Sequence, residues 1–221
     1  MSPGEYFRHE RRQIAALLDR SGPVLDVGCG AGMVCAPLAR EGVRVVGIEL
    51  SPEAAAEARN RYAEVFVGPL ESFTSTERFA QVVLADVLEH MVDPWQALRR
   101  VVDNLMERDG RVIVSLPNVR NWRVLADLVV RGRWRYVDEG ILDRTHLRFF
   151  TATDARLLLQ TAGLTPEREI FKVGDRIGRV TPRWLRRALG GLLAYQLIYV
   201  ARRKDETKLI HSRIATNEPS A

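Results

Sequence analysis

Short apolar runs alternate with longer amphipathic stretches through the first half of the chain. Four of the runs are the right length for buried strands, at residues 24–27, 44–48, 64–67 and 82–85. The stretches between them carry apolar residues at helical spacing, and Ser51 and Pro52 are residue types that begin a helix. Regular alternation of strand and helix is typical of a doubly wound α/β fold.

The second half of the chain adds three predicted strands, at residues 111–115, 164–171 and 195–201. Helical patterns cover residues 94–105 and 153–163, the second with Thr153 as its capping residue. We therefore predict a single α/β domain, built as a Rossmann-like, doubly wound and mostly parallel seven-stranded sheet with helices on both faces.

Residues 117–150 break the alternation and show no regular period. We interpret this segment, together with residues 174–192, as a lid inserted into the domain. Residues 1–22 predict a leading amphipathic helix that caps a domain spanning residues 23–202. Residues 203–221 are polar and aperiodic, which predicts a flexible tail.

Composition and charge narrow the class of protein only a little. Two cysteines, Cys29 and Cys35, have no metal-type spacing and fit a reduced, cytoplasmic protein. The chain shows no signal sequence and no apolar run long enough to span a bilayer, so we expect no transmembrane segment. The formal charge of +5 is a mild excess, and without a separate basic stripe we expect no nucleic-acid partner.

Much of the basic excess lies late in the chain. The stretch TPRWLRRALGGLL predicts a basic amphipathic helix around Trp184. Such a helix can serve as a lid, as a contact in a homodimer, or as a surface that lies on a membrane and meets a lipid-linked substrate. The sequence leaves these alternatives open.

A glycine-rich turn, DVGCGAG, follows the first predicted strand. Gly28, Gly30 and Gly32 allow backbone N–H groups to approach a ligand closely because no Cβ intervenes. Glu49 ends the second strand, where a carboxylate can accept the hydroxyls of a ribose. The spacing differs from the G-x-G-x-x-G of dinucleotide binders, and Asp26 would repel a pyrophosphate. These features predict an adenosine-type ligand that carries an ammonium group.

Five stretches, read in order, resemble the strand motifs of the class I S-adenosylmethionine-dependent methyltransferases: VLDVGCGAG, VVGIELS, VFVGPLESF, VVLADVLEHMVDP and LMERDGRVIVSLPN. The resemblance implies S-adenosylmethionine as cofactor, with Glu49 on its ribose and Leu50 and Leu70 against its adenine. Pro69 stands where the family often has an aspartate, so a hydrogen bond to the adenine is missing there.

The resemblance implies further cofactor contacts, and the full set from these motifs is Asp26, Gly28, Cys29, Gly30, Gly32, Glu49, Leu50, Leu70, Ala85 and Asp86. The leading segment EYFRHERRQI resembles the family's capping helix, where a tyrosine and an arginine meet the methionine end of the cofactor. Tyr6 and Arg11 are the candidates here, with Arg11 as partner of the carboxylate. A solvated basic helix explains the same residues equally well.

Methyl transfer from a sulfonium is an in-line displacement that needs an aligned nucleophile and often a proton acceptor. A helix starting at Asp86 would place Glu89 and His90 on the same face as Asp86. His146 lies at the end of segment 117–150, and a neutral imidazole suits removal of a hydroxyl proton near neutral pH. We predict His146 as the catalytic residue, with Glu89 and His90 beside it.

Two other interpretations of these residues stay open. The first rests on a likeness to the metal-binding set of small-RNA 2′-O-methyltransferases and some ubiquinone-biosynthesis O-methyltransferases, and its ligands would be Asp86, Glu89, His90 and His146. This likeness implies a divalent ion such as Mg²⁺ that polarises a hydroxyl. The second is that His146 is structural, in a loop held by Asp143 or Arg144.

The predicted function is O-methylation of a small hydroxylated acceptor, either a sugar, a glycan precursor or a natural product. The segments LPNVRNW and GILDRTHLRFFT resemble a bacterial subgroup of small-molecule methyltransferases. Arginine and aromatic residues within residues 117–150 suit sugars, although ordinary packing explains the aromatics as well. The alternatives are a non-catalytic cofactor-binding regulatory subunit and an RNA 2′-O-methyltransferase.

Overall fold

A computed structural model describes residues 12–174, 182 and 189–204 of the chain. Seven strands form one sheet in the order β3-β2-β1-β4-β5-β7-β6. These strands are β1 (Val24–Val27), β2 (Val45–Glu49), β3 (Glu64–Val67), β4 (Phe79–Ala85), β5 (Met106–Pro117), β6 (Leu164–Val173) and β7 (Ala194–Arg203). Each of the seven overlaps a strand that the apolar runs predict.

Strand direction divides the sheet into two parts. Neighbouring strands from β3 to β5 run parallel, whereas β7 lies between β5 and β6 and runs antiparallel to both. Four of the six strand pairs are therefore parallel, and the predicted mostly parallel seven-stranded α/β sheet is confirmed.

The helices connect successive strands, as the alternating pattern predicts. They are α1 (Ala36–Arg40), α2 (Pro52–Ala58), α3 (Pro94–Arg100), α4 (Trp122–Arg131) and α5 (Ala152–Thr161). A π-helical turn, Val101–Leu105, continues α3 into β5. Ser51 caps α2 as predicted, because its hydroxyl accepts a hydrogen bond from the N–H of Ala54 at 3.2 Å.

Successive residues of the central strands enter two separate hydrophobic cores. Val24 packs in one core with Ile14 and Leu38, while the next residue, Leu25, packs in the other with Leu98. Side chains of a strand alternate between the two faces of its sheet. Helices therefore cover both faces, and the edge where the parallel strands end is left to form a site.

The prediction of irregular structure throughout residues 117–150 is wrong, because α4 lies within that segment. Asn121 caps the helix by accepting a hydrogen bond from the N–H of Arg123 at 3.1 Å, and Gly132 ends it in the left-handed conformation. Val124 is the buried residue of α4. The apolar residues of α4 recur at helical spacing, but most of them do not face a core.

The predicted start of α5 is also displaced. Thr151, rather than Thr153, is the capping residue, and its hydroxyl forms a reciprocal capping box with Asp154. Both threonines shortly precede the apolar stretch, so residue type alone does not show which of them caps the helix.

Two asparagines fix the first end of segment 117–150 to the polypeptide that leads into β7. Asn118 donates to the carbonyl oxygen of Ala194 at 2.7 Å, and Asn121 donates to the same oxygen at 3.0 Å. The N–H of Val119 donates to the carbonyl of Phe150 at 3.0 Å, which joins the two ends of the segment. The segment is thus anchored at both ends beside the sheet.

Some predictions fall on residues that the structure does not describe. Tyr6 and Arg11 lie there, as do Trp184 with most of the predicted basic helix, and residues 205–221 of the predicted tail. In the part of the chain that is described, no helix combines the length and the apolar character needed to cross a bilayer.

Candidate functional site

A cavity of about 300 Å³ opens where the parallel strands end. It is lined by Asp26 near the end of β1, by Ala85 at the end of β4 with Asp86 after it, and by Pro117 at the end of β5. The carboxyl ends of parallel strands meet at one edge of a doubly wound sheet, which is where ligands bind in this architecture. Segment 117–150 supplies another wall, which includes His146.

The glycine turn after β1 presents bare backbone to this cavity. Gly28 and Gly30 have φ angles of 66° and 52°, in the region that L side chains rarely adopt. A Cβ on Gly28 would lie 2.6 Å from Cγ2 of Val87, whereas no atom lies within 4 Å of a Cβ built on Gly30. Cys29 and Gly30 also line the cavity. Gly32 does not, and packs against Ala58 instead.

Asp26 is almost completely buried and has a specific partner. The hydroxyl of Tyr62 donates to its Oδ2 at 2.6 Å, and the N–H of Cys35 donates to the tyrosine oxygen at 3.1 Å. Burial, together with the charge of Asp26, raises the pKa of Tyr62, so the phenol stays protonated and remains a donor. The carboxyl group of Asp26 is therefore held at a fixed place on the cavity wall.

Cys29 is not a nucleophile in this setting. Burial, followed by the charges of Asp26 and Glu49, raises the pKa of its thiol to about 12. The thiolate form that would react is therefore negligible near neutral pH. Its Sγ would lie 2.7 Å from a Cβ on Gly47, so the residue fills the space between the turn and β2.

Glu49 holds the glycine turn against the end of β2. Its carboxylate accepts hydrogen bonds from the N–H of Gly30 at 2.7 Å and from the N–H of Ser51 at 2.9 Å. Leu50 beside it is 68% exposed, whereas Leu70 lies in the hydrophobic core. None of these three residues lines the cavity as it stands, and their contacts with a ribose and an adenine stay predictions.

Asp86 does not begin a helix, so that prediction is wrong. Its φ angle is 56°, and a 3₁₀ turn begins only at Leu88. The carboxylate accepts hydrogen bonds from the hydroxyl of Ser115 at 2.9 Å and from the amide of Gln196. Desolvation raises the pKa of Asp86, and these two donors oppose the shift. Asp86 is therefore fixed against β5 and β7.

Glu89, His90 and His146 meet at the opposite side of the cavity. One potential ligand atom from each lies within 4.8 Å of those of the other two. The backbone carbonyl of Glu89 accepts hydrogen bonds from the N–H groups of Leu147 at 2.8 Å and Arg148 at 3.0 Å. These bonds fasten the turn after β4 to the end of segment 117–150, which brings the predicted catalytic residues together.

The orientation of His146 leaves one ring nitrogen basic. Its Nδ1 lies 3.0 Å from the carbonyl oxygen of Ile141, which can only accept, so Nδ1 carries the proton and Nε2 carries the lone pair. Desolvation is the largest influence on this imidazole and lowers its pKa, and the neighbouring His90 acts in the same direction. The hydrogen bond that Nδ1 donates to the carbonyl of Ile141 and the charge of Asp143 oppose the shift.

A chain of hydrogen bonds orients His90. Both the N–H and the hydroxyl of Thr145 donate to Oδ1 of Asp143, at 2.7 Å and 2.6 Å. The Nδ1 of His90 lies 3.3 Å from the carbonyl oxygen of Thr145 and 3.2 Å from its hydroxyl oxygen, so Nδ1 is the donor. Burial raises the pKa of Asp143, but the bonds from Thr145 outweigh it and the net shift is downward.

The cluster fits a divalent ion in its donor types. One carboxylate and two imidazoles suit a transition metal better than Mg²⁺, which prefers an all-oxygen shell. Ligand atoms on one ion lie at most about 4.4 Å apart, given bonds of about 2.0–2.2 Å, so the cluster would need to contract slightly. Asp86 is held by Ser115 and Gln196 and is not among the clustered residues, which reduces the predicted set of four to three.

Several partners of the site residues have no signal in the sequence. Tyr62 follows α2 in the chain, 36 residues after Asp26. Ser115, Gln196 and Thr145 contact residues from other strands and loops. Each is a common residue type without a motif. Only the three-dimensional packing of β5, β7 and segment 117–150 shows which of them touches the site.

Comparison with known proteins places the chain in a family. A family profile described as "Methyltransferase domain" matches residues 4–169. The chain is 31% identical to a ubiquinone biosynthesis O-methyltransferase of Cereibacter sphaeroides over 179 residues, 70% of this chain and 68% of that relative. It is 34% identical over 125 residues to the protein of that name from Bradyrhizobium diazoefficiens, and spans 49% of its length.

Solved structures agree in fold. Magnesium protoporphyrin IX methyltransferase from Synechocystis, with bound S-adenosylhomocysteine, superposes with a TM-score of 0.63 at 20% identity and covers 90% of this chain and 84% of that one. An S-adenosylmethionine-dependent methyltransferase from Thermotoga maritima superposes with a TM-score of 0.63 at 18% identity, covering 91% and 95%.

Proposed function

Because this chain belongs to the class I S-adenosylmethionine-dependent methyltransferases, we propose that it transfers the methyl group of that cofactor to a hydroxyl oxygen of a small acceptor. One observation carries the proposal: a single cavity joins the glycine turn to the imidazole of His146. The turn provides room for a cofactor, and His146 provides a base at the other wall.

In this proposal the cofactor binds along the end of β1. Gly28 and Gly30 let it approach the backbone, and the carboxylate of Asp26 attracts the ammonium group of its methionine part. Glu49 binds the ribose hydroxyls through the lone pairs that its bonds to Gly30 and Ser51 leave available. Because Glu49 also holds the glycine turn through Gly30, cofactor binding would then depend on the conformation of that turn.

The proposed reaction is a single displacement. The acceptor oxygen attacks the methyl carbon, the carbon–sulfur bond breaks, and its electron pair stays on sulfur to give S-adenosylhomocysteine. The hydroxyl proton passes to Nε2 of His146, which the bond from Nδ1 to Ile141 leaves unprotonated. The products are a methyl ether and the protonated imidazole.

The acceptor we propose is a hydroxylated ring of the quinone or phenol type. Phe149 lies beside His146 with ring centroids 6.4 Å apart, and Trp134 stands edge-on to Phe149 at 5.2 Å. Neither aromatic ring lines the cavity as it stands, and the proposal is that they favour a planar acceptor by stacking next to His146. A phenolic hydroxyl is also more acidic than a sugar hydroxyl, so a neutral imidazole suffices to accept its proton. The names of the two relatives point in the same direction.

A divalent ion, if bound, would be held by Glu89, His90 and His146. It would act as a Lewis acid that lowers the pKa of the acceptor hydroxyl. In that case the two imidazoles would supply their Nε2 atoms, since both Nδ1 atoms are engaged with carbonyl oxygens. Nε2 of His146 can either accept the proton or bind the ion, so these two roles exclude each other.

The proposal is tested by incubating the protein with methyl-labelled S-adenosylmethionine and a panel of catechols, hydroxylated quinones and sugars, with and without a chelator. We expect label on the hydroxylated rings. Activity that survives the chelator supports His146 as base, and activity that is lost and restored by one metal supports the ion. Cofactor binding without transfer to any acceptor would instead favour a regulatory subunit.

A further inference from the structure

The ring of Tyr62 occupies space next to the glycine turn that two glycines leave open. A Cβ built on Gly32 would lie 3.2 Å from Cζ of Tyr62, and a Cβ built on Gly47 would lie 3.1 Å from its Cδ2. Tyr62 is buried, and it is not among the residues that line the cavity. The ring is therefore held between the backbone of the turn and that of β2, in a tightly packed interior.

The hydroxyl of Tyr62 connects the carboxyl group of Asp26 to the start of α1. It donates to Oδ2 of Asp26 at 2.6 Å and accepts from the N–H of Cys35 at 3.1 Å. Cys35 is the capping residue of α1, and its own side chain makes no capping hydrogen bond. A tyrosine hydroxyl has one proton to donate, so this geometry commits that proton to Asp26. Burial raises the pKa of Tyr62, which keeps the proton in place.

We propose that Tyr62 is a positioning residue that acts through Asp26 on the amino acid end of the cofactor. The inference rests on the proposed function, in which Asp26 attracts the ammonium group. The bond to Oδ2 fixes the orientation in which a buried carboxylate meets that group. The proposed function assigns the ribose to Glu49, so the bond should not affect binding of the adenosine part. Tyr62 thus sets the preference for adenosyl ligands that carry the amino acid over those that lack it.

The test is isothermal titration of the full chain with S-adenosylhomocysteine and with 5′-methylthioadenosine, which lacks the amino acid end. Tyr62→Phe removes only the hydroxyl and should weaken binding of S-adenosylhomocysteine about 10-fold, the effect of one hydrogen bond to a charged group. Its affinity for 5′-methylthioadenosine should change less than about twofold. Tyr199→Phe is the matched control, because Tyr199 is equally buried and its hydroxyl donates to the carbonyl oxygen of Ala152 at 3.2 Å. It should leave both affinities unchanged.

A double-mutant cycle tests whether the effect passes through Asp26. Asp26→Asn alone should show the same selective loss, and adding Tyr62→Phe to it should weaken S-adenosylhomocysteine by less than about a further twofold. Retained binding of 5′-methylthioadenosine shows that each variant is folded. The role of Tyr62 is overturned if Tyr62→Phe leaves both affinities unchanged or weakens both equally, or if its effect is the same with and without the carboxylate. If the unchanged protein does not bind S-adenosylhomocysteine, the proposed function itself is overturned, and this inference with it.

Discussion

The imidazole rings of His90 and His146 lie edge to face, with their centroids 4.8 Å apart. Each ring is oriented through Nδ1, by Thr145 in one case and by Ile141 in the other. The neighbouring His90 contributes to lowering the pKa of His146, after desolvation, which is the largest cause. The pair therefore places two Nε2 atoms close together, from residues on opposite sides of α4 in the chain.

Replacing His146 tests its role as proton acceptor. We expect His146→Gln, which keeps a polar side chain of similar length, to lower kcat about 10²–10⁴-fold, the usual contribution of a general base. Affinity for S-adenosylhomocysteine, measured by calorimetry, should be unchanged. A variant that retains nearly full kcat would show that His146 is structural.

The pH profile follows from the lowered pKa of His146. The neutral imidazole is the active form, so activity should be present above its pKa and lost as pH falls through it. Because desolvation lowers that pKa, the acidic limb of kcat/KM should lie below pH 6.5, the ordinary value for histidine. The measurement is kcat/KM against pH with a phenolic acceptor. An acidic limb above that value would contradict the assignment.

Thr145 is expected to act on His90 alone. Thr145→Val removes the hydroxyl that joins His90 to Asp143 and should lower kcat about 2- to 10-fold, since one hydrogen bond contributes about 0.5–1.5 kcal/mol. Thr145→Ser keeps the hydroxyl and should restore the rate. Nitrogen NMR of the imidazoles should show the tautomer of His90 shifting in the valine variant. Equal rates in both variants would exclude this role.

Alanine substitutions at two glycines with positive φ distinguish an effect on cofactor binding from an effect on stability. Gly30 and Gly42 both have positive φ, and neither has an atom within 4 Å of an added Cβ. Each substitution by Ala should cost about 1–2 kcal/mol of folding free energy in urea denaturation. Only Gly30 lines the cavity, so Gly30→Ala should also weaken cofactor binding by about 10- to 200-fold. Equal cofactor affinities would contradict the proposed cofactor position.

Much of the fold can be predicted from the sequence. Buried parallel strands are short apolar runs, and Gly28 to Gly32 mark the turn after the first strand. Helix α4 was not predicted, although its apolar residues recur at helical spacing, and the structure shows Val129 and Val130 facing outward rather than into a core. The left-handed backbone of Asp86 could not be predicted either, because the residue types around it are also compatible with the start of a helix. His146 was predicted to serve the site, but its partner Ile141 contributes only a carbonyl, which any residue carries.

The central claim is transfer of a methyl group to oxygen, and the most direct measurement is carbon NMR of the product made from S-adenosylmethionine labelled with carbon-13 in its methyl group. The account predicts a methoxy signal on a hydroxylated ring, formed by the unchanged protein and strongly reduced in His146→Gln. A labelled methyl on nitrogen or carbon, or an unlabelled acceptor in the presence of bound cofactor, would contradict it.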